Sequence, residues 1–268
     1  MGCHRSARQT QAHAVYVVVG MELDRIIAVR TGKTVYRDGE NCIKVFENGY
    51  PKDDVLSEAL NHARVETTGL NVPAVKAVTQ IDGKWAIVTE YIHGKTLDCL
   101  MSENHDRRHE YLGKFVDLQL EAFSKTCPLL VSLTEKMRDR IAKANLGDDV
   151  KTELLKRLEE LPRHHKLCHG DFNPTNIIVS DDGKPYILDW SHATIGNASA
   201  DVARTYLLFW LNGDISGAEE YMDLFCEKSG TSRDYAEKWL PIVAAAQSVK
   251  GNVKTREFLL SYVNGVFA

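Results

Sequence analysis

The chain has 268 residues, 44% of them hydrophobic and 26% charged, and a formal charge of −4. This composition is globular; it excludes collagen-like and disordered classes, and without a basic surplus a nucleic-acid partner is not expected. No apolar run approaches the roughly 18 residues of a membrane span, and Cys3, Cys42, Cys99, Cys127, Cys168 and Cys226 form no C-x-x-C, so reduced cytoplasmic thiols are expected.

The length suits one large domain or two lobes. Residues 1–20 are expected to be a leader, disordered or additional to the domain. Met1-Gly2-Cys3-His4-Arg5-Ser6 does match the M-G-x-x-x-S myristoylation pattern. That pattern is short, and Ala14–Val19 is too short for a secretory core.

From Met21 to Ile92 the signals are mainly strand and turn. Leu23–Val29, Thr34–Arg37 and Asn41–Phe46 are β-prone, separated by Thr31-Gly32-Lys33 and Asp38-Gly39. Pro51 then opens a helix whose apolar face is read as Val55, Leu56, Ala59, Ala63 and Val65. Asn71-Val72-Pro73 ends it. Strands at Val75–Gln80 and Trp85–Tyr91 follow, joined by Asp82-Gly83.

After His93-Gly94 the pattern turns helical. Tyr111–Phe123 and Val150–Leu161 are helices, the second stopped by Pro162. Leu167–Trp190 is rich in Gly, Pro, Asn and Asp and reads as loop and strand. Helical spacing resumes from Asp201, Gly230 is a stop, and Pro241 is expected to kink or break the next helix. These patterns divide the chain into a β-rich lobe at 21–92 and a helical lobe at 93–268.

The chemistry concentrates in Cys168-His169-Gly170-Asp171-Phe172-Asn173-Pro174-Thr175-Asn176. Ile177-Ile178-Val179, a turn at Asp181-Asp182-Gly183, and Tyr186-Ile187-Leu188-Asp189-Trp190 follow. The order is acid, four residues, amide, strand, turn, strand, acid. It suits metal-assisted phosphoryl transfer, because Mg²⁺ takes hard oxygen ligands and a separate carboxylate must orient the attacking hydroxyl. The hairpin returns Asp189 alongside Asn176.

His169-Gly170-Asp171 with Asn176, and Ile187-Leu188-Asp189-Trp190, resemble the aminoglycoside phosphotransferase / choline kinase family. The segment Gly196–Arg204 resembles the family's stretch after the metal-binding acid. The resemblance covers roughly Met21 to the C-terminus. It implies an α+β, two-lobed protein-kinase-like fold, with a small antiparallel sheet lobe and a larger helical lobe. It also implies an ATP- and Mg²⁺-dependent kinase, with GTP as the other candidate nucleotide, acting on a hydroxyl of a small molecule. Asp171 is then the hydroxyl-orienting residue, Asn176 and Asp189 hold Mg²⁺, and His169 and Asp201 support the catalytic loop. A catalytically silent pseudo-kinase, acting as sensor or scaffold, is the rival reading.

The same resemblance assigns the nucleotide clamp to the small lobe. Lys44, within Cys42–Phe46, matches the strand lysine that contacts the α- and β-phosphates. Its partner should be Glu58 or Glu66. Thr31-Gly32-Lys33 would cover the phosphates with backbone amides, or is a plain hairpin turn. It is not a P-loop, since Ile27 stands where a Walker glycine is needed and a strand follows. Glu90 and Ile92 would meet the adenine edge through the backbone of the interlobe hinge.

His105 and His109 are four apart, but the charged residues around them read as a solvated face. Tyr206, Phe209, Trp210, Tyr221 and Phe225 read as core. Over 201–238, eight acidic residues stand against four basic ones. An acidic lining there would suit a cationic acceptor such as an aminoglycoside or choline; the plain reading is solvated helix faces. Ser191 stands where some relatives carry a further acid.

Overall fold

A computed structural model of the protein describes Leu23 and residues 25–267. The leader expected at 1–20, its acylation pattern and Cys3 lie outside these residues. The first lobe is an antiparallel sheet of β1 (Arg25–Arg30), β2 (Lys33–Asp38), β3 (Asn41–Phe46), β4 (Val75–Ile81) and β5 (Lys84–Glu90), in the order β1-β2-β3-β5-β4. Helix α1 (Lys52–Glu66) crosses between β3 and β4.

Strand alternation assigns the two sheet faces different tasks. Ile43, Val45, Ala86 and Val88 pack together on one face. The other face carries Lys33, Val35 and Lys44, with Val35 opposite Lys44 in register. On that side Phe46 and Ile87 pack against Val55 and Ala59 of α1. Burying Phe46, Ile87 and Val55 contributes about 1.5–3 kcal/mol each, so α1 is anchored beside Glu58, by Val55 about one turn before it and by Ala59 next to it. The apolar face expected for α1 needs correction. Val55, Ala59, His62 and Val65 are buried, whereas Leu56 and Ala63 are exposed. Their spacing is helical, but they fall on the outer flank of the stripe.

A short crossing leads into the second lobe. Strand β6 (Gly94–Thr96) pairs with β8 (Ile177–Ser180), which pairs with β9 (Pro185–Ile187). A Cβ at Gly94 would lie 2.2 Å from the carbonyl oxygen of Val179. Only glycine permits this approach, so the crossing is pinned to the β8–β9 hairpin.

The lobe is otherwise helical. It contains α2 (Leu97–Glu103), α3 (Arg108–Phe123), α4 (Leu133–Lys143) and α5 (Asp148–Glu160). After β7 (Lys166–Cys168) and β10 (Thr194–Gly196), which pair with each other, come α6 (Ala198–Leu211) and α7 (Ile215–Ser229). The chain continues through α8 (Arg233–Glu237), α9 (Leu240–Gln247) and α10 (Val253–Phe267). One large core joins them, with Phe115, Phe172, Trp190, Tyr221 and Phe225 almost wholly buried. Tyr206 and Phe209 are buried and Trp210 packs against the same core, as expected.

Gly230 ends α7 in the left-handed conformation. Pro241 does not break a helix. It lies in the first turn of α9, where its missing N–H costs nothing. Helix α4 carries only a weak periodic signal in the sequence. Its apolar stripe is only Leu133, Met137 and Ile141. Its start is marked by Ser132, whose Oγ accepts from the Glu135 N–H, the S-x-x-E pattern of a capping box. Among the described residues, no helix is long and apolar enough to cross a membrane, and five cysteines are free thiols.

Candidate active site

A cleft of 280 Å³ lies between the lobes. Ile27, Val35 and Ile87 wall it from the sheet side, and Ile178 and Leu188 from the other. Glu90, Tyr91 and Ile92 line its back, and Lys33, Lys44, Glu58, Asn176 and Asp189 line its polar end. Apolar walls with convergent polar groups suit a planar heterocycle carrying an anionic tail.

The polar end is built from both lobes. Lys44 pairs with Glu58, and its Nζ lies 3.5 Å from Asp189 Oδ1. Glu66 is committed elsewhere, accepting the Val75 N–H at 2.8 Å. Geometry thus brings Glu58 to Lys44 and leaves Glu66 out. Burial opposes the charge on Lys44, but Asp189 and Glu58 overcome it and push its pKa up. Burial likewise disfavours the Asp189 carboxylate; the ammonium groups of Lys44 and Lys33 hold it below the usual range.

Lys33 contributes more than the backbone amide expected of it. Its Nζ stands 3.4 Å from Glu58 and 3.8 Å from Asp189. Thr31 and Gly32 form the β1–β2 turn, with Gly32 at φ 75°. Lys33 begins β2 on the cleft face, a position that strand alternation from Val35 could have revealed.

Asp189 has φ 54°, a left-handed conformation uncommon for a side chain with a Cβ. The surrounding bonds hold it there. Leu188 donates its N–H to the Asn176 carbonyl at 2.8 Å, which closes the hairpin and sets Asp189 beside Asn176.

The loop between β7 and β8 carries Asp171. Asn173 and Asn176 each donate an Nδ2–H to Asp171 Oδ2 at 3.3 Å. Arg204 of α6 reaches Asp171 Oδ1 at 3.4 Å. Asp171 is a third exposed while Arg204 is 17% exposed, so the carboxylate meets solvent over a buried guanidinium. Arg204 stands in the segment that carries the family resemblance, and its contact with Asp171 is set by the tertiary structure.

His169 and Asp201 lock this loop. His169 Nε2 donates to the Leu188 carbonyl at 2.8 Å, leaving Nδ1 to accept the Asp171 N–H at 3.1 Å. Its ring packs on Trp190, with centroids 4.6 Å apart. Asp201 is buried and accepts the N–H groups of His169 at 3.0 Å and Gly170 at 2.6 Å. Gln119 donates to the same carboxylate at 3.5 Å and accepts from the Tyr221 hydroxyl at 2.5 Å. Burial pushes the Asp201 carboxyl up against the lowering effect of these donors and His169. Gln119 and Tyr221 carry no motif, so sequence spacing had no means of finding them.

The donor set fits a hard divalent cation. Asp189 Oδ1 is buried without a hydrogen-bond donor. The amide nitrogen of Asn176 is committed to Asp171, so its oxygen is the atom that can ligate. One carboxylate and one amide oxygen match Mg²⁺ bound together with phosphates.

Six of the eight acidic residues of 201–238 are committed to partners within the fold. Asp201 holds the loop that carries Asp171, Asp214 pairs with Arg108, and Glu220 meets His109. Glu219, Asp223 and Glu237 all pair with Arg233. These pairings bear out the plain reading of the stretch as helix-face charge, so an acidic lining is not an argument for a cationic acceptor.

A sheet lobe over a helical lobe, with a lysine–glutamate pair facing an acid and an amide across the cleft and a second acid bonded to that amide, defines a phosphotransferase of protein-kinase-like fold. The model of the phosphotransferase enzyme family matches residues 27–237, and the chain belongs to that family. Solved structures agree on the fold. A thermostable mutant of the aminoglycoside phosphotransferase APH(4)-Ia superposes with a TM-score of 0.64 at 14% identity, over 90% of this chain and 92% of that one. The same protein is known in a ternary complex with ADP and hygromycin B. A choline/ethanolamine kinase family protein from Mesorhizobium loti gives 0.58 at 18% identity, covering 95% of this chain and 89% of that one. Choline kinase LicA from Streptococcus pneumoniae gives 0.57 at 15% identity, covering 91% and 95%. No curated protein matches the sequence.

Proposed function

We propose that the protein moves the γ-phosphate of ATP to a hydroxyl of a small molecule. The observation that carries this reading is the convergence of Lys44, Asn176 and Asp189 on one cleft, with Lys44 3.5 Å from Asp189, and the bond that ties Asp171 to Asn176 at 3.3 Å. In this division of labour, residues 21–92 clamp the nucleotide. Residues 93–268 hold the catalytic loop and the acceptor.

Each side chain then has a task. Glu90 and Ile92 present backbone groups to the adenine edge, and Lys33 and Lys44 meet the phosphates, with Glu58 holding both ammonium groups. Thr31 and Gly32 cover the phosphates from the turn. Asp171 orients the acceptor hydroxyl. As its oxygen bonds to phosphorus, the bond to the bridging oxygen breaks, ADP leaves and Asp171 takes the proton. His169 and Asp201 position Asp171 through the loop backbone. Mg²⁺, held by Asn176 and Asp189, supplies charge neutralisation on the phosphates when bound. The free thiols and the absence of a spanning helix among the described residues support a cytoplasmic enzyme.

The adenine nucleotides in complexes of related structures support ATP over GTP. The test is ADP production from Mg·ATP, against Mg·GTP, over a panel of hydroxyl acceptors. Asp171→Asn should lower turnover about a thousandfold while nucleotide affinity stays unchanged. Equal turnover in that variant overturns the assignment. ATP binding without transfer to any acceptor favours the silent pseudo-kinase, a reading opposed by the complete set of catalytic groups around the cleft.

A further inference from the structure

Behind Asp171 the protein concentrates positive charge. Arg204, touching Asp171, is joined by Lys136 and Arg140 of α4 and by Lys250 after α9. Lys136 donates to the carbonyl of His192 at 3.0 Å. That same oxygen would lie 2.8 Å from a Cβ at Gly170, so Lys136 sits against the catalytic loop. Arg140 and Lys250 also wall a second cleft of 510 Å³, together with Lys143 and Arg256. No acidic residue lines it.

Carboxylates do not neutralise this group. Among the described residues, Lys136, Arg140 and Lys250 have no carboxylate at ion-pair distance. Arg204 has Asp171 alone, and its buried Nε has no hydrogen-bond partner. The remaining acids facing the cluster are Asp54, near Lys250, and Asp201, which is bound to the loop amides. The cations strain one another. Burial and then the charges of Arg140 and Lys250 bring the Lys136 pKa down to about 8. Burial and the same neighbours, led by Lys136, bring His192 down to about 3. Burial with Arg204 nearby lowers Arg140. A purely structural patch gains nothing from holding four cations together. A binding site for an anion does, because the ligand removes the repulsion.

We infer that the acceptor is a small hydroxyl-bearing anion, a carboxylate or a phosphate ester, whose hydroxyl meets Asp171 and whose charge seats among Arg204, Lys136, Arg140 and Lys250. The inference rests on the phosphotransfer reading above for the role of Asp171. It departs from the cationic acceptor class that an acidic lining of 201–238 would have suited. The two anion sources share one chemistry: oxygen atoms that accept from guanidinium and ammonium donors. The basic cleft beyond Lys250 leaves room for an acceptor that extends past its hydroxyl.

The test is calorimetric titration of the full chain saturated with Mg·AMP-PNP. The probes are glycerol 3-phosphate, malate, kanamycin and choline. Either anion should bind, and the two cations should not. Arg140→Gln and Lys250→Gln should each weaken the bound anion about tenfold and leave AMP-PNP affinity unchanged. Both variants should unfold at a higher temperature than the parent, since each relieves repulsion. That result separates lost recognition from lost folding. Preference for kanamycin or choline overturns the inference and leaves the phosphotransfer reading standing. So does failure of both anions, or anion affinity indifferent to both substitutions. Loss of AMP-PNP binding in the parent chain overturns both readings.

Discussion

Lys33 Nζ stands 3.8 Å from Asp189 Oδ2, although one residue begins a strand of the small lobe and the other follows the hairpin of the large lobe. With Lys44 3.5 Å from the other oxygen, Asp189 is gripped by two ammonium groups from the opposite lobe. Both lysines also share Glu58. The lobes are therefore joined electrostatically at the point where phosphates would lie.

This arrangement predicts unequal losses. Lys44→Ala removes the ammonium group most deeply tied to Glu58 and should lower kcat/KM about a hundredfold. Lys33→Ala should act mainly on nucleotide KM, raising it about tenfold, because Lys44 still holds Asp189. Steady-state kinetics with ATP varied separate the two. A Lys33→Ala enzyme with unchanged ATP KM would show that its side chain does no work at the phosphates.

Gln119 holds the loop indirectly. It donates to Asp201 and to Thr205 and accepts from Tyr221, all in the buried core. Gln119→Leu leaves Asp201 with fewer donors and the Tyr221 hydroxyl without its acceptor. It should cost about 1–3 kcal/mol in urea unfolding. Restoring the amide at reduced reach, as Gln119→Asn, should recover less than half of the loss.

His192 gives a pH dependence of definite sign. Its pKa is about 3 in the folded protein, against an ordinary value of 6.5, because burial and then Lys136, Lys250 and Arg140 disfavour the imidazolium. Between those values the unfolded chain binds a proton that the native protein refuses. Stability is therefore full above pH 6.5 and falls as pH drops toward 3. His192→Asn should flatten the decline of Tm between the neutral and mildly acidic range. An unchanged slope would mean that other groups carry the acid sensitivity.

Gly94 fixes the interlobe crossing. A methyl group there would stand 2.2 Å from the Val179 oxygen and 2.7 Å from Ser180 Cα. Both contacts are backbone, so no side chain can swing aside. Gly94→Ala should destabilise the protein by about 2–4 kcal/mol or displace β6 from β8. Thermal unfolding measures the first outcome. Loss of protection at the β8 amides in hydrogen exchange measures the second.

Much of this architecture is legible along the chain because it depends on local chemistry. Strands β2, β3 and β5 follow from alternation and glycine turns. The Asp171–Asn176 step and the return to Asp189 follow from one hairpin, whose length sets which residues become neighbours. Glycine and proline mark the ends of α1, α5 and α7 through backbone geometry that any context shares. The groups to which we assign phosphotransfer thus lie in a contiguous stretch, 168–189, plus one strand lysine.

Tertiary structure decided the partners drawn from distant segments. Helical spacing favours Glu58 over Glu66 without excluding the latter; packing of Val55 and Ala59 under the sheet turned Glu58 to Lys44, while Glu66 accepts the Val75 N–H. The acids of 201–238 looked like a surplus until Arg108, His109 and Arg233 met them. The cations behind Asp171 come from α4, α6 and the segment after α9, and a one-dimensional charge count disperses them. Coulomb interactions depend on distance in space and on burial, and neither is a property of position along the chain.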